Sequence, residues 1–289
     1  TQNPYSGVLA GTIFTGALQS SSIVSILTLS FVNAGLLNLR RAFSIIVGAN
    51  VGTVIKLWFI VGLGMVWHIE SLALPIIAIG ITFFFFRNQR AREWAEFSIG
   101  LALIFIGFYF LNTFFPDLSE HPIFQEYIQE FGGSSSYASS LIFILIGIVV
   151  TFLFHSSSAF TLLAAVLVSK GMNLEHAAMM VMGANIGTTS AALLASIVGN
   201  RASKSTAWFH FFFSLAGVAL FFFFVPLVIE LLKKTVSTDG EILLVSFHTF
   251  FNVVSALLIL PFVNSIADWA EKKYLNKSND QSALKLIGR

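Results

Sequence analysis

One polar phrase occurs twice in this chain, both times embedded in apolar sequence. Gln19-Ser20-Ser21-Ser22 is followed by Gly48-Ala49-Asn50-Val51-Gly52-Thr53, and His155-Ser156-Ser157-Ser158 by Gly183-Ala184-Asn185-Ile186-Gly187-Thr188. The intervals from Ser22 to Gly48 and from Ser158 to Gly183 are 26 and 25 residues. The loops between them also align, Gly35 and Asn38-Leu39 with Gly171 and Asn173-Leu174. Duplicated units in which glycines and hydroxyl side chains interrupt hydrophobic segments at matching places point to the binding site of a membrane transporter.

The surrounding sequence belongs in a bilayer. Of 289 residues, 56% are hydrophobic and only 10% are charged, against about 25% charged in an average soluble domain. Apolar stretches recur near 5–31, 42–67, 72–86, 97–116, 139–169, 176–199, 207–232 and 242–267. Most reach the roughly 20 residues that a helix needs to cross the hydrocarbon core. Phenylalanine runs at 83–86, 211–213 and 221–224 suit lipid-facing surfaces. The absence of cysteine excludes disulfides, thiolate catalysis and thiolate-bound metal. A formal charge of +2, spread over short loops, gives no footprint for nucleic acid.

Loop charge sets the expected topology. If every apolar stretch simply crossed, the two copies would point the same way. If instead 5–31 and 139–169 each enter and leave on one side as a helical hairpin, three crossings separate the copies and the second is inverted. The basic segments 40–41, 87–92, 201–204 and 272–277 then share one face, cytoplasmic by the positive-inside rule. The segment 117–137, with four acidic residues and no Lys or Arg, falls outside. Lys233 and Lys234 are the exception, near Asp239 and Glu241 in sequence. The expected fold is therefore an all-α membrane protein of two inverted-topology repeats, each with a re-entrant helical hairpin and a broken helix. Its expected parts are a first repeat at 1–96, a second at 97–232, and a final transmembrane helix with a cytoplasmic tail at 233–289. Only 18 residues precede Gln19, whereas a full helix precedes His155. At least one further helix is therefore expected before Thr1 in the natural protein.

A helix that begins inside a membrane leaves its first N–H groups without partners, and lipid offers none. Three serines at such a start supply small side chains, hydroxyl donors and a nest of amides, an anion site that needs no basic residue. Two such starts near the midplane would each contribute about half a positive charge, roughly +1 together. Asn50, Thr53, Asn185, Thr188 and Thr189 lie where glycines let a helix unwind and turn oxygens inward. Such oxygens suit a hard alkali cation and not a transition metal. An oxyanion with one to two negative charges exceeds what the dipoles neutralise, and burying an uncompensated charge costs several kcal/mol. Co-bound sodium would fill the deficit and make cation and anion binding mutually dependent. The competing reading is that Ser, Gly and Thr only permit tight helix packing.

The paired Gln-Ser-Ser-Ser and Gly-Ala-Asn-Ile/Val-Gly-Thr motifs resemble the type II sodium/phosphate cotransporter family in its short bacterial form. Phe209-His210-Phe211-Phe212-Phe213 and Phe247-His248-Thr249-Phe250-Phe251-Asn252 are similar to that family's His-x-x-Phe-Asn segments, although Ser214 replaces the first asparagine. The resemblance covers most of the chain from Asn3 to Phe262. It implies a multi-pass protein of the bacterial inner membrane, not an enzyme, with no cofactor, importing inorganic phosphate with sodium ions. It also implies that Gln19, Ser20, Ser21, Ser22, His155, Ser156, Ser157 and Ser158 hold phosphate. Asn50, Thr53, Asn185, Thr188 and Thr189 would then shape the sodium sites. His155 departs from the family's glutamine and adds a group that titrates near neutrality.

Lys56 breaks the repeat, since its counterpart is Ala191. An intramembrane lysine lends charge to the anion site, substitutes for a cation, or snorkels to an interface along a tilted helix. His210 and His248 read as helix-packing hydrogen bonders. The competing functions are a sodium-coupled carrier of sulfate or a carboxylate, a passive anion channel, and an intramembrane serine hydrolase. The last lacks a Gly-x-Ser-x-Gly elbow and leaves the duplication unexplained.

Overall fold

Backbone in hydrocarbon must satisfy its own N–H and C=O groups, and a helix does so within one segment. The computed structural model describes residues 3–67, 72–114, 122, 126 and 137–275, and every regular element among them is helical. The first repeat supplies α1 (Pro4–Leu18), α2 (Ser21–Asn33) and α3 (Leu39–Trp67). Two connecting helices follow, α4 (Ala73–Phe84) and α5 (Gln89–Phe114), packed on each other. The second repeat supplies α6 (Tyr137–Phe154), α7 (Ser157–Ser169) and α8 (Leu174–Ser196). The chain continues through α9 (Arg201–Phe221), α10 (Val225–Thr235), α11 (Gly240–Ile259) and α12 (Val263–Ala270). The acidic segment 117–137 lies outside the described residues apart from 122, 126 and 137.

Local chemistry starts these helices where the sequence changes character. Asn3, Asn173, Asn200 and Asp239 cap α1, α8, α9 and α11, each side chain accepting from a backbone N–H of the first turn. Four segments are long and apolar enough to cross a bilayer: Leu39–Gly62, Tyr137–Phe154, Leu174–Ser196 and Gly240–Lys273. The bent pair α9 and α10 would make a fifth. At 13 residues each, α2 and α7 reach only about 20 Å, short of a crossing.

Two expectations are corrected. The Gly-Ala-Asn-x-Gly-Thr segments are not broken helices, because α3 and α8 run without interruption through Gly48–Thr53 and Gly183–Thr189. The stretch 207–232 is not one helix either, since α9 and α10 meet at 77° across Phe222–Phe224. Pro226 explains this break, for a proline cannot donate to the preceding turn and is tolerated only where a helix begins. The phenylalanine runs also divide: Phe85, Phe212 and Phe223 are exposed, while Phe213 and Phe221 are buried.

The motif glycines have a different use, which is close approach. A Cβ on Gly11 of α1 would collide with the Ile45 carbonyl of α3, and one on Gly48 with the Val8 carbonyl. The second repeat reproduces this, with Gly147 against the Met180 carbonyl and Gly183 against the Ile144 carbonyl. Gly52 and Gly187 lie against Thr15 and Thr151 in the same way. Small residues four apart on facing helices let backbones touch where lipid provides no hydrophobic drive. Thus α1 with α3, and α6 with α8, form two equivalent tight pairs.

The two units interlock. α2 packs on α8 and α9, while α7 packs on α11 and α3. Asn33 at the end of α2 accepts from the Asn200 N–H (2.7 Å), and Arg40 forms a bidentate pair with Asp268 of α12. Phe43 stacks on Phe209 with centroids 4.0 Å apart. At the end of α7, Val168 lies against Gly240 at the start of α11. The basic residues Arg201, Lys204 and Lys273 line one groove beside Phe43, which joins two of the expected basic segments, and Arg40, paired with Asp268, brings a third to the same end. Lys234 pairs within its helix with exposed Glu230 (2.6 Å), not with Asp239 or Glu241.

If backbone contact holds each pair, Gly11→Ala, Gly48→Ala, Gly147→Ala and Gly183→Ala should each cost about 1–3 kcal/mol of overpacking strain. Gly62→Ala, with open space around it, should not. Thermal unfolding in detergent measures the difference; equal effects at Gly62 and Gly48 would remove the explanation.

Candidate functional site

The first serine motif sits where α1 stops and α2 starts. Gln19 adopts left-handed backbone (φ 57°, ψ 19°), and Ser20 is extended (φ −151°, ψ 110°). This pair ends α1 and lets α2 begin within two residues. The Ser20 hydroxyl oxygen then caps α2 by accepting from the Ile23 N–H at 3.3 Å. The second motif repeats it: His155 has φ 52°, Ser156 has φ −141° and ψ 99°, and its Oγ accepts from the Ala159 N–H at 3.3 Å. Gln19 and His155 are the positive-φ non-glycine residues among the described residues. A left-handed side-chain-bearing residue costs about 1–2 kcal/mol. Its presence at the same place in both copies marks a conformation maintained against strain, as functional sites often are.

The next two residues of each helix carry the exposed chemistry. The N–H groups of Ser21, Ser22, Ser157 and Ser158 have no intrahelical acceptor by position. Their hydroxyls likewise have no hydrogen-bond partner among the described residues, although Ser21, Ser157 and Ser158 are buried. Gln19 and His155 are exposed at the links, and the Gln19 amide donates back to the Gly16 carbonyl at 2.6 Å. The Nζ of half-buried Lys56, on α3, donates to the Gln19 carbonyl at 2.9 Å. A positive charge thus adjoins the first link, and the second has alanine at that place.

Four buried hydroxyls escape the motif search. Thr15 and Thr151 stand one turn before Gln19 and His155, and Ser25 and Thr161 one turn after Ser21 and Ser157. All four Oγ atoms are buried without a hydrogen-bond partner, whereas other helical hydroxyls such as Thr12 and Thr28 bond back to a carbonyl. The signal was available in the repeat itself, since Thr-x-x-x-Gln/His-Ser-Ser-Ser-x-x-Ser/Thr occurs in both copies.

The asparagine motifs are buried and already partnered. Asn50 Oδ1 lies 3.3 Å from His210 Nε2 of α9, and Asn185 Nδ2 donates to Asn252 Oδ1 of α11 at 2.9 Å. Asn252 in turn donates to the His248 carbonyl at 2.8 Å. Each asparagine therefore ties its repeat to a histidine-bearing helix; the His210 ring takes part in that tie, whereas His248 contributes its backbone carbonyl and its Nδ1 is buried without a partner. Thr53, Thr188 and Thr189 donate to the carbonyls of Asn50, Ala184 and Ile186. A hydroxyl whose proton is so committed offers only lone pairs to its surroundings, which suits a cation. Among the described residues no three His, Asp or Glu side chains gather. No hydrogen bond among them links the first serine stretch to the second.

Comparison with known proteins is consistent with this duplicated pattern. The sequence model of the Na+/Pi-cotransporter family matches residues 1–113 and 132–252. An uncharacterized protein of Bacillus subtilis, YqeW, is 30% identical over 265 residues, covering 91% of this chain and 83% of its own. YjbB of Escherichia coli, provisionally named an inorganic phosphate export protein, is 32% identical over 260 residues; the match covers 89% of this chain and 46% of YjbB. This chain therefore spans about half the length of that relative. Rat sodium-dependent phosphate transport protein 2C is 41% identical over 97 residues, 32% of this chain and 16% of its own. No solved structure matches the chain. Matched over most of its length, the chain belongs to the Na+/Pi-cotransporter family.

Proposed function

We propose that this chain is the transport core of a sodium-coupled symporter that imports inorganic phosphate, held between the tips of two inverted hairpins. The observation that carries the reading is the duplicated link, Gln19-Ser20 and His155-Ser156, each opening a helix whose first N–H groups and serine hydroxyls lack partners. Ser21, Ser22, Ser157 and Ser158 donate to the phosphate oxygens, with Gln19, Ser20, His155 and Ser156 shaping the turns. Inversion is supported by the contacts at the two ends. The end of α2 adjoins Asn200, beside the basic groove that includes Lys273, while the end of α7 adjoins Gly240, the other terminus of the Gly240–Lys273 span. The end bearing Arg40, Arg201, Lys204 and Lys273 is then cytoplasmic in a bacterial inner membrane.

Sodium enters through charge and oxygen. The helix starts supply roughly +1, and Lys56 adds charge at one link only. The second link has no such cation, and sodium ions held by Thr53, Thr188, Thr189 and the unpartnered hydroxyls of Thr15 and Thr151 complete the neutralisation. Asn185 keeps its amide oxygen for an ion, while the oxygen of Asn50 has only the lone pair that His210 does not engage. Phosphate release without sodium is the second reading, favoured by the export name of the Escherichia coli relative. The family is one of transporters, which gives an intramembrane hydrolase no support.

Uptake of labelled phosphate into proteoliposomes decides between these readings. An inward sodium gradient should drive accumulation, with arsenate competing better than sulfate; flux indifferent to sodium would reject coupling.

Side-chain substitutions divide the anion from the cation. Ser21→Ala and Ser157→Ala should each weaken phosphate affinity about 10- to 100-fold, the worth of a hydrogen bond to a charged group, with folding unchanged. Thr15→Val and Thr151→Val should weaken sodium dependence while leaving thermal stability equal or higher, since each removes a buried oxygen that has no protein partner. Valine variants that lose stability but keep normal sodium dependence would make those threonines packing residues only.

A further inference from the structure

The two links differ in how they treat the last carbonyl oxygens of the helix before them. A helix ends on C=O groups that its own turns cannot meet, and these form the negative end of its dipole. At the first link the protein covers two of them: the Gln19 amide donates to the Gly16 carbonyl at 2.6 Å, and Lys56 Nζ donates to the Gln19 carbonyl at 2.9 Å. Lys56 forms no ion pair among the described residues, so its charge is set against that carbonyl and not against a carboxylate. Phe152 and His155 hold the matching places in the second copy. No donor among the described residues meets either of their carbonyls.

The places correspond closely, because the helix pairs that carry them do. A Cβ on Gly52 would stand 2.7 Å from the Thr12 carbonyl oxygen, and one on Gly187 would stand 2.7 Å from that of Ile148. Lys56 and Ala191 each follow four residues later, about one turn further along α3 and α8. The link residues share left-handed backbone, with φ 57° at Gln19 and 52° at His155. A lysine at 191 would therefore reach the His155 carbonyl as Lys56 reaches that of Gln19, whereas Ala191 stops at its Cβ. Hydrocarbon offers that carbonyl nothing. The first copy answers the same need with one unit of positive charge, and a hard alkali cation is the diffusible ligand of that charge that carbonyl oxygens take.

We propose, on the sodium-coupled reading above, that Lys56 takes the place of one sodium ion: the first link carries its own cation, and the second binds a sodium ion at the His155 and Phe152 carbonyls. This ion is separate from those held by the threonines. Each link then joins the negative end of one helix to the positive end of the next, with a cation at the carbonyls and the anion at the amides. The cation is tethered in one copy and diffusible in the other, so only the second link responds to the sodium concentration through this place. The duplicated half-sites load with unequal numbers of ions, one fewer at the first.

The test is equilibrium binding of labelled phosphate to the purified full chain over a series of sodium concentrations, with choline holding the ionic strength. Below saturation the slope of log affinity against log sodium counts the ions taken up with the anion, and a uniform change in affinity leaves that slope alone. Ala191→Lys, which gives the second link the cation of the first, should lower the slope by about one. Lys56→Ala combined with Gln19→His copies the second link into the first and should raise the slope by about one, so that each tenfold fall in sodium costs a further factor of about ten in affinity. Lys56→Arg keeps the charge and should keep the slope of the unaltered protein. Slopes that stay equal in Ala191→Lys and in the double variant overturn the proposal, as a water molecule on the His155 carbonyl would produce. A changed slope in Lys56→Arg overturns it too. Either of the first two variants decides if the other fails to fold, and Lys56→Arg decides if both fail. A slope of zero in the unaltered protein rejects sodium coupling itself and this exchange with it; a sodium-dependent protein whose variants keep its slope rejects the exchange alone.

Discussion

A helix that begins in hydrocarbon exposes N–H groups that lipid cannot satisfy, and in the function proposed above this chain makes two such beginnings from matching sequence. The rest of the architecture can be derived from that constraint. Each start must be held at a fixed depth, so α1 and α6 are clamped to α3 and α8 by backbone contact at Gly11, Gly48, Gly147 and Gly183. Each turn must be tight, so Gln19 and His155 take left-handed backbone despite carrying side chains. The serines that follow are small enough to leave the amides open to a ligand.

The polar network around the asparagines connects these clamps to the rest of the molecule. Asn50 meets His210 and Asn185 meets Asn252, so each tight pair is tied to α9 or α11 by a buried side-chain contact. Replacing a buried polar pair leaves an unsatisfied group on the remaining partner, so such ties fix register more firmly than apolar contact. The copies differ in the link residue, Gln19 against His155, in the lysine at the first link and in the asparagine at the second tie. In the proposed function the duplication then supplies two similar half-sites with unequal charge.

Much of this was legible in the residues. The helix boundaries at the serine motifs follow from hydroxyl N-caps, and the failure of α2 and α7 to span follows from their length. The unbroken course of α3 and α8 was not legible, because glycine serves both to unwind a helix and to admit a neighbouring backbone. The four-residue spacing of Gly48 with Gly52 and Gly183 with Gly187 favoured the second use. The bend after Phe221 was hidden by a continuous apolar run, although Pro226 marked it. Thr15, Thr151, Ser25 and Thr161 were missed because each looks ordinary alone; Ser190, Ser214, Ser246 and Ser255 are also buried without a partner, and what sets the four apart is their matching positions in the two copies.

Since the chain contains no cysteine, one measurement addresses the shared anion directly. Ser22→Cys and Ser158→Cys, in separate proteins, can each be titrated with a thiol reagent while phosphate is raised in the presence and absence of sodium. If one oxyanion is held by both links, the two thiols should be protected at the same phosphate concentration, and only with sodium present. Protection of one thiol without the other, or of neither, would contradict a common site.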